Sequence, residues 1–246
     1  MFLLIPAIGV YTIVLGTLSL ASSLFDARGY FAHWCARTWA RLILATTGVS
    51  VRVEGLEHVA PNGSYVFVSN HQSHYDTAVL FATLPHQLRI IAKESLGRFP
   101  FVGWHLRRTG HILVDRRRPD RSAIFAWAER LLSQGLSLIV YPEGTRSPNG
   151  LVQRFKPGSF QIALQAGLPV VPISISGTRQ VLRKGDIAAR PGIVRLVLHP
   201  PIETRGLSNA DPREFGERVR QIIAPAVEVR PSTDPPGDGA LLGVRS

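Results

Sequence analysis

The sequence is poor in cysteine and in acidic residues. Cys35 is the only cysteine among 246 residues, so the chain can form no intramolecular disulfide and no cysteine-based zinc cluster. Aspartate and glutamate number 17 against 28 lysines and arginines, which gives a formal net charge of +11. This excess indicates an anionic partner, and nucleic acid, an anionic membrane surface or a phosphorylated substrate would each satisfy it.

Charge is also missing from the N-terminus, where residues 1–25 contain no acidic or basic side chain. Such a segment is long enough to cross a bilayer as a helix. A cleaved signal peptide is the alternative, because Leu20-Ala21-Ser22-Ser23 loosely resembles a cleavage site. The positively charged region that opens a signal peptide is absent, however, which favours a retained segment.

A second apolar stretch, from Tyr30 to Val49, contains two tryptophans and two arginines. This composition is typical of a helix that lies at the headgroup level of a bilayer. A core helix with exposed arginines would explain the same residues. Together with residues 1–25, this stretch predicts a membrane-associated two-helix hairpin over residues 1–49, which either spans the bilayer or dips into one leaflet. The nearby positive charge all follows the first segment, which predicts that the bulk of the protein lies on the cytoplasmic side.

From residue 50 onward, strand-like apolar runs alternate with helical patterns. The alternation predicts an α/β domain over residues 50–230, in which helices cover a mainly parallel sheet. Residues 231–246 are rich in proline, glycine and aspartate and are predicted to form a disordered tail. The predicted strands are centred on residues 51–53, 65–69, 88–92, 112–114, 138–141, 170–175 and 193–198.

A histidine and an acid, His71 and Asp76, follow the buried strand that ends near residue 69. Residues five apart point away from each other on a helix, so only a bend between strand and helix can bring these two together. A carboxylate bonded to one ring nitrogen of His71 would fix the tautomer and leave the other nitrogen as a base. The pattern predicts this pair, although a histidine near a strand end is often only a satisfied polar group.

Another polar loop leaves the predicted strand at residues 138–141. Pro142 ends the strand, and a polar loop at this edge of an α/β sheet can line a ligand crevice. The same residue types also make ordinary surface turns. The candidate ligand-binding residues of this loop are Glu143, Gly144, Thr145 and Arg146.

Two further cations follow predicted strands. Arg116 comes directly after the strand at 112–114, and the planar fork of arginine suits phosphate. Lys93 follows the strand at 88–92 and is a second candidate for a phosphate contact. The arginines beyond Arg116 fit a solvated or membrane-facing surface equally well.

Four short motifs of the sequence together resemble, in order and spacing, those of the glycerolipid acyltransferases. Within that family they most resemble the motifs of the 1-acylglycerol-3-phosphate acyltransferases. The resemblance extends from Val51 to Pro201. It departs from the family in Tyr141, where phenylalanine is usual, and in Leu113-Val114, where Phe-Ile is common. The motifs are Asn70-His71-x4-Asp76, Gly110 to Arg116, Pro142 to Arg146, and Val171-Pro172-Ile173.

The resemblance implies transfer of a fatty acyl group from a thioester, acyl-CoA or acyl-carrier protein, to the sn-2 hydroxyl of 1-acylglycerol 3-phosphate. It implies His71 as the general base and Asp76 as its partner. Lys93, Arg116 and Arg146 would hold the acceptor phosphate. Glu143 would bind a glycerol hydroxyl or orient Arg146, with Gly144 and Thr145 in the same substrate-binding loop.

No cofactor, metal or covalent intermediate is required for this reaction, because the acceptor supplies its own nucleophilic hydroxyl. The sequence also lacks a Gly-x-Ser-x-Gly elbow. A lysophospholipid resides in a bilayer, which gives the predicted hairpin a purpose: an anchored enzyme can draw the acceptor from the leaflet. The basic surface would hold the protein against anionic lipids.

Several alternatives stay open on sequence alone. Another lysolipid or glycerol 3-phosphate could be the acceptor. A metal-dependent hydrolase would use His71, His74 and Asp76 as ligands, with His105 or His111 completing the set. A nucleic-acid partner would explain the net charge, but no recognised binding motif supports one, and none is expected.

Overall fold

The computed structural model describes residues 4–26, 28–115, 121–186 and 188–228, and the predicted tail at 231–246 lies outside them. Within these ranges the strands are β1 (Val49–Glu54), β2 (Val66–Ser69), β3 (Leu88–Lys93), β4 (Ile112–Val114), β5 (Ser137–Val140), β6 (Val170–Ser176) and β7 (Gly192–Leu198). They form one sheet in the order β1-β7-β6-β2-β5-β3-β4. Every neighbouring pair is parallel except β6 and β7. The prediction of a mainly parallel sheet is therefore confirmed.

Helices cover both faces of the sheet, as the alternating pattern predicted. Two short 3-10 helices, Leu56–His58 and Glu94–Arg98, lie in the connections. The α-helices of the described residues are α1 (Leu4–Ser22), α2 (Tyr30–Thr46), α3 (Tyr75–Thr83), α4 (Val102–Arg108), α5 (Arg121–Ser133), α6 (Gly158–Ala166), α7 (Thr178–Val181) and α8 (Pro212–Ala226).

The central strands β2, β5 and β6 are buried along their whole length, which is why they read as continuous apolar runs. Successive side chains point to opposite faces. Phe67 and Ile139 pack with α2 and α3 in one hydrophobic cluster. Val66 and Leu138 pack with α5, α6 and α8 in the other. The sheet thus separates two cores. Helix α2 contributes side chains only to the core that contains Phe67 and Ile139.

The first two helices form a hairpin whose turn is fixed by Asp26. Its carboxylate accepts hydrogen bonds from the backbone N–H groups of Gly29, at 2.9 Å, and Phe31, at 2.7 Å. Gly29 has a φ of 70°, a conformation that glycine adopts without strain. Between the helices, Nε1 of Trp39 donates to Oγ1 of Thr12 at 2.8 Å.

Arg89 joins this hairpin to the sheet. Its side chain is only 1% exposed and donates to the carbonyl oxygens of Leu88, at 2.9 Å, and of Arg28, in the hairpin turn, at 2.8 Å. Ser19 adds a contact from α1, with its Oγ 2.5 Å from Nδ1 of His105 in α4. The hairpin is therefore packed against the α/β part rather than tethered to it by the chain alone.

The outer side of the hairpin is apolar. Helix α1 exposes a stripe of aliphatic side chains, and the start of α2 exposes Phe31 and Trp34. Among the described residues, no helix combines the length and hydropathy that a transmembrane span requires. The exposed aliphatic residues of α1 are Val10, Ile13, Val14 and Leu18.

Candidate active site

Two loops meet at one edge of the sheet, because β2 and β5 are adjacent and parallel. In α/β sheets, the loops that follow the strands at this edge line the ligand crevice. The loop after β2 carries His71 and leads into α3. The loop after β5 carries the polar residues from Glu143 to Arg146. The candidate site is built where these two loops touch.

His71 and Asp76 form a close pair, with Nδ1 of His71 2.7 Å from Oδ2 of Asp76. The chain reverses between the end of β2 and the start of α3, as the spacing required. Asp76 is fully buried and His71 is 9% exposed. When the carboxylate accepts from Nδ1–H, the lone pair of Nε2 is the one available to take a proton.

The carboxylate of Asp76 is held by more than the imidazole. Its Oδ2 also accepts from the backbone N–H groups of Gln72, at 2.7 Å, and Ser73, at 2.9 Å. Asp76 lies in the first turn of α3, where the helix dipole favours a negative charge. These bonds fix the orientation of the carboxylate and, through it, that of the His71 ring.

The backbone of His71 is fixed by the loop that follows β5. The His71 N–H donates to Oε1 of Glu143 at 2.8 Å, and the His71 carbonyl accepts from the Ser147 N–H at 2.7 Å. The backbone N–H and the carbonyl oxygen of His71 are thus both bound to one loop. The two motifs that the sequence singled out are joined directly through this residue.

Glu143 points inward, toward the protein. It is 4% exposed, and its Oε2 accepts from the Gln153 N–H at 3.2 Å. Burial raises the pKa of Glu143, and the hydrogen bonds from His71 and Gln153 oppose that rise. The sequence-based interpretation placed Glu143 among groups that project toward a substrate; in the structure both of its oxygens bind backbone N–H groups instead.

Tyr141 packs against the imidazole of His71, with ring centroids 4.2 Å apart and an interplanar angle of 22°. Its hydroxyl lies 3.1 Å from Oγ1 of Thr77. Burial raises the pKa of Tyr141 well above its ordinary value, and the charge of Asp76 adds to the effect. The Tyr141 side chain therefore stays neutral, and its stacked ring limits the movement of the His71 imidazole. Its proximity to the strand end was visible in the sequence, but its contact with His71 was not.

The remaining loop residues surround this corner. Gly144 has a φ of 73°, and a Cβ built there would lie 2.8 Å from Nζ of Lys156. Thr145 is exposed and Arg146 is half-buried. Burial, followed by the charge of Arg146, lowers the pKa of the nearby His74. The structure thus adds Lys156, which the sequence-based list of site residues omitted although it lies in Phe155-Lys156-Pro157-Gly158, close behind the loop.

The two other predicted cations are less closely tied to the pair. Lys93 is exposed at the end of β3, on the same edge of the sheet as His71 but separated from β2 by β5. Arg116 lies outside the described residues. Their contact with a phosphate stays a prediction.

An apolar cavity of about 400 Å³ lies between the hairpin and helices α3 and α4. Small-molecule sites typically occupy about 300–1,000 Å³. Thr77 lines the cavity and bonds the hydroxyl of Tyr141, the residue that stacks on His71, so the cavity adjoins the candidate site. Helices α1, α2, α3 and α4 supply most of its wall, including Leu15, Ala36, Ile43, Ala78, Phe81 and Leu106.

The ligand set of the alternative metal hydrolase is not assembled in the described part of the chain. No group of three or more histidine, cysteine, aspartate or glutamate side chains is arranged there to hold a metal ion. His105 and His111 lie near each other, with ring centroids 5.6 Å apart, in the lining of the apolar cavity.

Comparison with known proteins agrees with this geometry. The family described as "Acyltransferase" matches residues 50–176. The 1-acyl-sn-glycerol-3-phosphate acyltransferase alpha of Homo sapiens is 36% identical over 197 residues, which cover 79% of this chain and 69% of the relative. The chain belongs to the 1-acyl-sn-glycerol-3-phosphate acyltransferase family.

Two more members extend the comparison of this O-acyltransferase. The chloroplastic acyltransferase LPAT1 of Arabidopsis thaliana is 34% identical over 184 residues, which cover 73% of this chain and 51% of the relative. The crystal structure of the 1-acyl-sn-glycerophosphate (LPA) acyltransferase PlsC from Thermotoga maritima has a TM-score of 0.69 at 30% identity, covering 88% of this chain and 92% of that one. The acyltransferase therefore belongs to phospholipid biosynthesis, and the family match includes both loops of the candidate site.

Proposed function

We propose that the enzyme transfers a fatty acyl group from acyl-CoA or acyl-carrier protein to the sn-2 hydroxyl of 1-acylglycerol 3-phosphate, giving phosphatidic acid. The observation that carries the proposal is the His71–Asp76 pair, 2.7 Å apart, at the start of α3, a helix that also lines an apolar cavity. The names of the relatives support the acceptor. The cavity suits an alkyl chain, because its walls are almost entirely apolar.

The chemistry needs a base but no nucleophile from the protein. The acceptor hydroxyl oxygen attacks the carbonyl carbon of the thioester while Nε2 of His71 takes the hydroxyl proton. The tetrahedral adduct then expels the sulfur by breaking the C–S bond, and the thiolate recovers the proton from His71. Asp76 stabilises the imidazolium that exists between these two steps.

Cations around the loop after β5 would bind the acceptor phosphate. Arg146 and Lys156 lie in or beside that loop, and Lys93 lies farther along the same edge of the sheet. Arginine and lysine both bind phosphate well through charged hydrogen bonds. Arg116 is a further candidate from the sequence alone.

Membrane association belongs to the same proposal. The acceptor lies in a bilayer, and the exposed apolar stripe of α1 together with Phe31 and Trp34 would lie in the interfacial region of one leaflet. The α/β part over residues 50–230 would then remain on the cytoplasmic side, with residues 1–49 as its membrane-associated part. This arrangement keeps the cavity beneath the hairpin close to lipid.

The experiment is a transfer assay with the purified full chain in detergent or vesicles. Radiolabelled 1-acylglycerol 3-phosphate, another lysolipid and glycerol 3-phosphate are each offered with acyl-CoA and with acyl-carrier protein. We expect phosphatidic acid as the main product, identified by its mass. In the control without acceptor, the thioester should remain intact.

Two outcomes would contradict the proposal. Hydrolysis of the thioester without acylation of any lipid would indicate a hydrolase. Acylation of glycerol 3-phosphate in preference to 1-acylglycerol 3-phosphate would move the acceptor assignment to the alternative raised by the sequence.

A further inference from the structure

A second pocket, which is polar, lies at the opposite end of α3 from His71. Its lining includes Arg41, whose Nε donates to the Ala82 carbonyl in the last turn of α3 at 3.3 Å, and Gln87, which precedes β3. His71 precedes the first turn of the same helix, which is about 13 Å long at 1.5 Å per residue. The two sites are therefore separate. The polar pocket lies near the start of β3, whereas the loops that carry His71 and Glu143 lie at the opposite edge of the parallel strands.

The pocket has a volume of about 180 Å³ and is lined by polar or aromatic side chains from α2 and from the loop before β3. A water molecule needs only about 10–15 Å³ of such space, so a group as large as phosphate can enter. Trp34 and Arg41 are exposed at its rim, which leaves it open to the surface of the hairpin. The lining residues are His33, Trp34, Arg37, Arg41 and Gln87, none of them acidic.

Several polar atoms of this pocket have no hydrogen-bond partner among the described residues. Nε of Arg37 and Oε1 of Gln87 are buried without a partner. More than nine-tenths of buried polar groups in proteins are paired. Arg37 and Gln87 therefore bring unpartnered polar groups to the lining of this pocket.

The two charged side chains that line the pocket, Arg37 and Arg41, are both positive. His33, Arg37 and Arg41 are spaced four residues apart on α2, so their side chains share one face of the helix. Within the described ranges, no carboxylate lies within 4.0 Å of either guanidinium. Burial and the charge of Arg41 lower the pKa of Arg37. An anion between the two arginines would relieve this repulsion.

We propose that this pocket binds the phosphate group of an anionic ligand, with Arg37 and Arg41 donating to its oxygens. The neighbouring surface favours a lipid headgroup as the source of the phosphate. Phe31 and Trp34 are 44% and 54% exposed and stack with centroids 5.4 Å apart. Aromatic pairs of this kind sit at the headgroup level of a bilayer, where the glycerol and upper acyl chains would contact them.

The experiment measures binding of the purified full chain to phosphatidylcholine vesicles with and without phosphatidylglycerol. The test variant is Arg37→Gln with Arg41→Gln. The matched control is Arg213→Gln with Arg218→Gln, which removes the same charge from the exposed side of α8. Each basic residue at an anionic lipid surface contributes roughly fivefold to binding, so the test variant should lose about 30-fold in affinity for the anionic vesicles. The control should bind as the native protein does.

A second variant distinguishes a built site from diffuse charge. Arg37→Lys with Arg41→Lys keeps both charges but removes the planar forks, and we expect it to lose most of the same affinity. Equal weakening of the test and control pairs, or native binding by the lysine pair, would overturn the proposal. Thermal unfolding of each variant shows whether it is folded.

The last arm separates a headgroup from free phosphate. Inorganic phosphate is added to the vesicle mixture and compared with potassium chloride at the same ionic strength. Displacement by phosphate alone supports a site that recognises the phosphate group itself, whereas displacement only by soluble short-chain phosphatidylglycerol supports one that also needs the lipid. Displacement by neither contradicts the proposal. None of these readouts depends on acyl transfer, so their failure is distinct from failure of the proposed function.

Discussion

The loop after β2 buries His71 beside a carboxylate, whereas the junction between the hairpin and the sheet buries His33, His105 and His111 near the arginine Arg89. These four residues form the junction. In the loop, the imidazole donates to Asp76 and its peptide is bound on both sides. In the junction, His33 has no carboxylate partner among the described residues and feels the charge of Arg89 instead.

The electrostatics of the junction follow from this environment. Burial lowers the pKa of His33 to about 3 and that of His105 to about 4, and the charge of Arg89 adds to both effects. The pKa of His111 is lowered well below its ordinary value for the same reasons, with His105 contributing. Burial and nearby positive charge thus disfavour protonation of these histidines near neutral pH, whereas His71 is paired with a carboxylate.

The largest effect that would test this comparison is expected from Asp76→Asn. All three hydrogen bonds end on Oδ2, and a neutral amide lacks the charge that stabilises the imidazolium; with its NH₂ at that position it would also favour the wrong tautomer of His71. In the serine-protease triad the equivalent change lowers kcat about 10⁴-fold, so we expect a loss of about 10³- to 10⁴-fold in kcat here. The exposed Asp186→Asn serves as control. A near-native kcat in Asp76→Asn would show that the pair is only structural.

A smaller effect is expected from Glu143→Gln. One of the two N–H groups now bound by the carboxylate, from His71 or Gln153, would face an amide NH₂ instead. Leaving a buried donor unsatisfied costs about 1–3 kcal/mol, which corresponds to about 10- to 100-fold in kcat if it displaces His71. The KM for the lipid acceptor should not change. A raised KM with native kcat would instead support the original prediction that Glu143 binds a glycerol hydroxyl; Glu57→Gln is the matched control.

The junction predicts a pH dependence of stability rather than of catalysis. Its histidines have folded-state pKa values below the unfolded value of about 6.5, so the unfolded chain binds more protons as the pH falls below that value. The free energy of unfolding should therefore decrease between about pH 6.5 and pH 4, by up to about 1.4 kcal/mol per pH unit for each histidine. Urea titrations at several pH values measure this slope. In His33→Leu the slope should be shallower, and an unchanged slope would contradict the assignment.

The smallest effect is expected from Tyr141→Phe, which keeps the ring stacked on His71 and removes only the hydrogen bond to Thr77. A neutral hydrogen bond of this kind contributes about 0.5–1.5 kcal/mol. We expect kcat within about threefold of native and a slightly lower melting temperature. Tyr141→Ala, which removes the ring, should lower kcat more. Equal kcat in both variants would show that the stacked ring does not hold His71.

Local patterns predicted much of the fold and part of the site. The strands were predictable because β2, β5 and β6 are buried throughout, and parallel pairing followed from the helices between them. The His71–Asp76 contact was predictable because a single bend of five residues creates it. The antiparallel pairing of β6 with β7 was not, since the segment between them gives no signal of its direction.

Contacts between distant parts of the chain could not be predicted. Glu143 binds the His71 N–H across 72 positions of sequence, and only the adjacency of β2 and β5 brings the two loops together. The junction has the same origin, because α2, β3 and α4 each contribute one of its side chains. Lys156 could have been predicted as a site residue, because it follows the loop after β5 within the Phe155–Gly158 motif.

The most direct test of the difference between the two kinds of buried histidine is the initial rate of phosphatidic acid formation by His71→Ala and by the native enzyme, each normalised to folded protein. His58→Ala, at an exposed position on the Leu56–His58 helix, is the control. A positioned general base contributes about 10²- to 10⁴-fold to the rate. We expect His71→Ala to lose at least about 100-fold with the thioester left intact and the melting temperature nearly unchanged. Equal rates from the two proteins would contradict the assignment of His71 as the base.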